Sequence, residues 1–131
     1  MTRRRGMALA AGLVAAALAM ASASAHDVVA TAPADDAAAS LIDEGGALFL
    51  THCARCHGEG AEGGIGPRLV GNARLARPDR VATQILRGSI YMPSFATRLD
   101  DHEIAAIATF VLNLGSNDFG IVSEADVAAL R

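Results

Sequence analysis

The sequence predicts an all-α domain, and three observations carry that expectation. No alternating apolar and polar run of useful strand length occurs, two segments carry complete helix-start signatures, and a long glycine-rich loop separates the apolar stretches. The 131 residues hold 11 arginines, no lysine, 14 acidic residues and two cysteines, which fits one small domain with appendages.

The first 25 residues run from Arg3-Arg4-Arg5 through an apolar stretch, Met7 to Met20, to Ala23-Ser24-Ala25. That is the basic, apolar, small-residue order of an export signal, so cleavage is expected before His26 and the mature chain is expected in the periplasm. Cleavage removes three arginines and no acid, taking the formal net charge from −3 to −6. An uncleaved membrane anchor is the rival, but the run is Ala-rich, weakly apolar and followed at once by the cleavage pattern, so no stable membrane insertion is expected afterwards. A chain this acidic argues against nucleic-acid binding, which needs clustered cations to displace phosphate counterions.

From His26 to Ser40 the Ala, Asp, Thr, Pro and Val composition lacks periodicity and reads as a flexible tether. Leu41, Ile42, Ala47, Leu48, Phe49 and Leu50 then predict a helix from 41 to about Cys56, weakened by Gly45 and Gly46. Seven breakers between Gly58 and Gly71 forbid regular structure there. Pro78 as a first helical residue, Val81, Ala82 and Ile85 as the apolar positions, and Gly88 as the stop predict a helix over 78–87. The pattern breaks again at Met92-Pro93. Asp100 as N-cap, Glu103 as its capping-box partner and the Leu99/Ile104 staple then start the strongest helix, with Ile104, Ile107, Ala108, Val111 and Leu114 as one stripe and Gly115 as C-terminal cap. A domain over 41–115 is followed by an extension, 116–131. There Ser123 capping and Val122 facing Val127 predict a short helix from Glu124 to Leu130.

So long a loop in so small a domain needs something other than apolar side chains to fill the space between helices, and a large flat cofactor would do so. Cys53-Ala54-Arg55-Cys56-His57 names one, because C-x-x-C-H is the attachment signature of a c-type haem. Three residues apart on a helix end, two sulfurs lie on one face and can each add to a vinyl group, while the next residue turns its imidazole toward the iron. Two alternatives fare worse. Structural zinc needs a second ligand pair, and His26, His52 and His102 do not form one. A thioredoxin-like couple needs a buried strand before Cys53, and no strand pattern precedes it.

With Met1, Met7 and Met20 removed, Met92 is the remaining methionine and sits in a loop before Pro93, so it is the expected second iron ligand opposite His57. By itself a methionine is as readily core filler. His102 competes, but it lies in the first turn of a capped helix between two acids, and His52 adjoins Cys53 too closely to reach the opposite haem face. Leu69, Ile85, Tyr91, Phe95 and Val111 are candidate lining, a role compatible with ordinary core. Arg68, with Arg55, Ser89 and Tyr91, is a candidate contact for the haem propionates, against the alternative of a solvated surface arginine.

These residues resemble class I, mono-haem c-type cytochromes of bacterial periplasms over about 41–115. The resemblance rests on Gly45-x-x-x-Phe49-x-x-x-Cys53, the pentad with Gly58, Gly66-Pro67-x-Leu69, Ile85-Leu86-x-Gly88, Met92-Pro93-Ser94-Phe95, and the run from Ile104 to Val111. It implies the cytochrome c fold, three to five short helices around one covalently bound haem. It further implies that the first and last helices cross where Gly45 and Phe49 meet Phe110, that His57 and Met92 are axial ligands, and that the Pro67 carbonyl accepts the His57 ring N–H. Filled axial positions leave one-electron transfer between redox proteins as the expected function, rather than enzymatic turnover. The alternatives are a haem subunit of a periplasmic dehydrogenase or oxidoreductase complex, whose cytochromes carry tails similar to 117–131, and a haem enzyme or gas sensor with an open iron position. The resemblance departs from well-known members in lacking a lysine ring, so docking to an acidic partner through lysines is not expected.

Overall fold

The computed structural model describes residues 34–131, so the export signal over 1–25 and the first part of the tether lie outside the described residues. Five helices follow in order: α1 (Ala34–His52), α2 (Ala54–His57), α3 (Pro78–Arg87), α4 (Asp101–Leu112) and α5 (Glu124–Ala128), with one 3₁₀ turn at Ala73–Leu75 between α2 and α3. There is no strand among the described residues.

The helix starts follow the chemistry of their caps. Asp100 accepts from the Glu103 N–H while Glu103 returns a bond to the Asp100 N–H, completing the expected capping box of α4. Ser123 and Asp126 repeat the arrangement on α5, where Val122 and Val127 are both buried. Pro78 opens α3, and Gly88 ends it with φ +66°.

Several expectations need correction. Residues 34–40 are helical rather than part of a tether, because alanine is the strongest helix former and Asp35 and Asp36 suit the positive end of the helix dipole. The predicted helix to Cys56 is two elements, α1 and α2, interrupted at Cys53. The last helix stops at Ala128, two residues short of the expected end.

Helix α4 is the centre of the molecule. Its apolar surface is no single stripe. Residues Ile104 to Thr109, Val111 and Leu112 are all buried, since α1, α3 and α5 pack around it. Asn113 rather than Gly115 is its C-cap, and Leu114 is half-buried beyond the end. Helix α1 crosses it at Gly45, where an added Cβ would collide with the Ala106 carbonyl and lie 2.8 Å from Phe110 Cβ. One turn on, the rings of Phe49 and Phe110 pack with centroids 5.4 Å apart. The α1–α4 crossing thus falls at the three residues expected to make it.

The extension packs onto this core. Thr109, fully buried in α4, exchanges hydrogen bonds through its hydroxyl with the Val122 carbonyl and N–H. Arg131 pairs with Asp101 and donates to the Ala96 and Leu99 carbonyls, holding the end of the chain against the approach to α4.

Candidate functional site

The crossing of α1 and α4 sets the position of the Cys53–His57 turn at the end of α1. The Cys56 and His57 N–H groups both donate to the Cys53 carbonyl at 3.0 Å, which closes one helical turn and puts the two sulfurs on one side of it. Burial, with the neighbouring Cys56, pushes the Cys53 thiol up to about 11. It is therefore a protonated, weakly nucleophilic group at neutral pH in this folded state.

The glycine-rich loop is built around that turn. Gly63 N–H donates to the His57 carbonyl at 2.7 Å and Gly66 N–H to the Cys56 carbonyl at 2.8 Å. Gly66 lies against the imidazole, where a Cβ would come within 2.8 Å of His57 Cε1. His57 Nδ1–H donates to the Pro67 carbonyl oxygen at 2.9 Å. A carbonyl only accepts, so this contact fixes the tautomer and leaves Nε2 with its lone pair, as a metal-ligating histidine requires.

The opposite wall comes from α3 and the loop after it. Ser94 Oγ donates to the Leu86 carbonyl at 2.6 Å, Phe95 N–H to the Ile85 carbonyl at 3.1 Å, and Ser89 N–H to the Met92 carbonyl at 2.7 Å, folding the loop back on its own helix. Gly88 permits this, since a side chain there would strike the Met92 carbonyl. Met92 Sδ accepts from Gln84 Nε2 at 3.5 Å.

Between these walls lies a cavity of about 550 Å³. Cys53, Cys56, His57 and Met92 all border it, with Pro67, Leu69, Ile85, Phe95 and Val111. The donor set fits a covalently held haem: two adjacent thiols for thioether bonds, an oriented imidazole, a thioether across the cavity and apolar side chains between them.

Not every expected contact is there. Arg68 does not line the cavity; its Nε donates to the Val70 carbonyl at 2.8 Å, which turns the guanidinium along its own loop. Arg55 is also absent from the lining, because it lies between the two cysteines on the exposed side of their turn. Tyr91 borders the cavity but is 94% exposed, so it stands at the rim rather than in the wall. Ser89 does line it, together with Arg74, Arg80, Gln84 and His52, which sequence reasoning missed. Helical spacing exposes the signal for two of them: Arg80 and Gln84 flank Val81 and Ile85, which were identified as the buried face of α3. His102 is remote, bonded to Glu44 at 3.0 Å on the outer surface of α1 and α4.

The fold and this site define a mono-haem c-type cytochrome of class I. The comparisons with known proteins agree. The family model described as "Cytochrome C oxidase, cbb3-type, subunit III" matches residues 40–111, and the chain belongs to that family of cytochrome c domains. It is 34% identical over 106 residues to the fructose dehydrogenase cytochrome subunit of Gluconobacter japonicus, covering 67% of this chain and 22% of that protein. It is 35% identical over 74 residues to cytochrome c6 of Leptolyngbya boryana, covering 53% and 87% respectively. Cytochrome cL of Methylophaga aminisulfidivorans superposes with a TM-score of 0.53 at 27% identity, covering 70% of this chain and 61% of that one. The chain spans only 22% to 30% of the length of the dehydrogenase and oxidase subunits that it matches. Haem c is the cofactor, and Cys53 and Cys56 stand at the spacing that attaches it.

Proposed function

We propose that this protein is a periplasmic carrier that passes single electrons between redox proteins, with His57 and Met92 as the residues that would ligate its haem iron. The observation that carries this reading is the single cavity bordered by both thiols, the His57 imidazole held by Pro67, and the Met92 thioether. When bound, haem c supplies a one-electron Fe(II)/Fe(III) couple. Pro67 and Gly66 hold the His57 ring in one orientation, and Gln84 steadies the Met92 side chain. Leu69, Ile85, Phe95 and Val111 exclude water. A thioether ligand and low-dielectric surroundings both favour the less charged, reduced state, raising the potential relative to bis-histidine ligation. Export is supported by the Arg3–Ala25 signal pattern. The match to cytochrome c6, over 87% of that protein and 53% of this chain, supports the carrier reading.

Replacing Met92 with Ala in the mature holoprotein tests this. The expected result is loss of the weak red methionine-to-iron charge-transfer band, a lower midpoint potential and ready CO binding by the reduced form. An unaltered spectrum and potential would sink the ligation. CO or peroxide reactivity in the wild type would point instead to a haem enzyme or gas sensor. The dehydrogenase cytochrome subunit among the relatives favours a second reading, a fixed subunit of a larger periplasmic complex. Copurification of the native protein with a dehydrogenase, against recovery as a free monomer, distinguishes the two.

A further inference from the structure

The extension 116–131 lies beyond the residues that the family model matches, 40–111, yet it is fixed to the core at three separate places. Asn117 bonds to the 69–72 loop, on the His57 side of the cavity. In the middle Thr109 holds Val122, and Val127 seats α5 with no exposed surface. At the far end Arg131 reaches the segment that follows Met92. Its Nη1 donates to the Ala96 carbonyl at 2.6 Å, its Nη2 to the Leu99 carbonyl at 3.1 Å, and its Nε to the Asp101 carboxylate. One guanidinium thus bridges both ends of the 96–99 turn and the first residue of α4, with a side chain only 34% exposed.

The Met92 loop is otherwise held from one side. The bonds made by Ser89, Ser94 and Phe95 run back to α3 or close within the loop, and Gln84, which meets the Met92 sulfur, also belongs to α3. Among the described residues no hydrogen bond from α1 or α3 reaches 96–99, so Arg131 supplies the second anchor. We infer that Arg131 is a positioning residue for Met92, a clasp by which the extension keeps the loop closed with its thioether in the cavity. A thioether is a neutral, soft ligand, so its hold on oxidised iron leans on how firmly the surrounding chain keeps it in place. A guanidinium suits the task, because its planar fork serves two carbonyls and a carboxylate at once and stays charged at every working pH. Asp101 balances that charge, so the clasp acts through position. This inference rests on the ligation by Met92 proposed above.

The test measures how tightly free imidazole binds the oxidised holoprotein, read from the visible spectrum. Imidazole reaches the iron where Met92 has left it, so its apparent affinity scales with the open fraction of the loop. Arg131→Gln is expected to bind imidazole about tenfold more tightly than the wild type, the scale of one charge-assisted hydrogen bond lost from the closed state. Arg131→Lys keeps the charge beside Asp101 but ends in a single point that cannot span both carbonyls, so it falls between the two and serves if Arg131→Gln folds poorly. Thr109→Val is the control for general loosening. It removes the bonds to Val122 and lowers Tm but leaves Arg131 in place, and its imidazole affinity should stay within about twofold of the wild type. An affinity unchanged in both Arg131 variants overturns the inference, as does a rise in Thr109→Val equal to that in Arg131→Gln. Failure of the ligation itself looks different: Met92→Ala would then bind imidazole no more tightly than the wild type, and the clasp falls with it. Tighter binding in Met92→Ala with none in Arg131→Gln keeps the ligation and discards the clasp.

Discussion

The Asn117 amide donates to the Leu69 carbonyl at 3.1 Å, joining positions 48 residues apart. The same Nδ2 donates to the Val111 carbonyl at 2.9 Å, and its Oδ1 accepts from the Asn72 N–H at 3.1 Å. One buried side chain thus satisfies the end of α4 and anchors the loop that carries a wall of the haem cavity. Asn117→Ala leaves these backbone groups without partners. The expected cost is about 1–3 kcal/mol, or a fall in Tm of about 4–8 °C per kcal/mol, measured by thermal unfolding. An unchanged Tm would mean that water replaces the amide without penalty.

Gly45 and Gly46 are adjacent in α1, yet they should respond unequally to alanine. At Gly45 the new Cβ would strike the Ala106 carbonyl, which α4 holds rigidly, whereas at Gly46 its nearest neighbour is Phe110 Cε2 at 3.2 Å, an aromatic edge that can shift. Gly45→Ala should therefore destabilise by about 1–3 kcal/mol through overpacking, outweighing the gain in helix propensity. Gly46→Ala should lie near neutral, because roughly 1 kcal/mol of propensity offsets the small displacement. Chemical unfolding of the two variants side by side decides the matter, and equal effects would show that the helices separate freely.

Much of this architecture is legible where local chemistry and tertiary packing agree. The Asp100/Glu103 box, the Ser123 cap with its Val122/Val127 pair, the Pro78 and Gly88 limits of α3 and the Cys53–His57 pentad specify their geometry within a few residues. The errors come from contacts that sequence spacing does not encode. Arg68 was a reasonable propionate candidate until its guanidinium met the Val70 carbonyl two residues away. Arg74 lies in a three-residue 3₁₀ turn, too short for any periodicity to reveal which way it faces. Asn117 looked like a polar loop residue, and only the fold brings the Leu69 carbonyl to it. The start of α1 was missed because an alanine- and acid-rich segment has the composition of a linker and the propensity of a helix.

The His102–Glu44 pair joins α1 to α4 on the surface and makes stability depend on pH. Chiefly through its hydrogen bond to Glu44, His102 is held above its ordinary value, with Glu124 and Asp100 adding to the attraction and slight burial opposing it. The folded state thus binds the proton more tightly than the unfolded chain. The stabilisation is complete below the ordinary histidine range and is lost as pH rises through the elevated folded value. Both side chains are nearly half exposed, so the pair contributes only about 0.2–1 kcal/mol. Glu44→Gln should therefore lower stability at about pH 5.5, below the ordinary histidine range, and have no effect at about pH 9, above it. A deficit of equal size at both would assign the contact to packing instead.

Gly66 lies against the His57 imidazole, and its lack of a side chain governs how that ring is held. A methyl group there would sit 2.8 Å from Cε1 and 2.9 Å from Nδ1, closer than non-bonded atoms tolerate, and the backbone beside it is tied to Cys56. The ring must therefore yield, lengthening the 2.9 Å bond from Nδ1 to the Pro67 carbonyl. That bond makes the imidazole a more basic donor, so weakening it should make the proposed His57 ligand a poorer partner for oxidised iron. Gly66→Ala is expected to raise the midpoint potential and to destabilise the fold by about 1–3 kcal/mol. Gly60→Ala is the control, because its Cβ meets only Glu62 Oε2, at 3.2 Å, the end of an exposed flexible side chain. Redox titration and thermal unfolding of both variants separate the outcomes. A Gly66→Ala protein with lowered stability and an unmoved potential would make the Pro67 contact structural, with no influence on the electron-donating strength of His57.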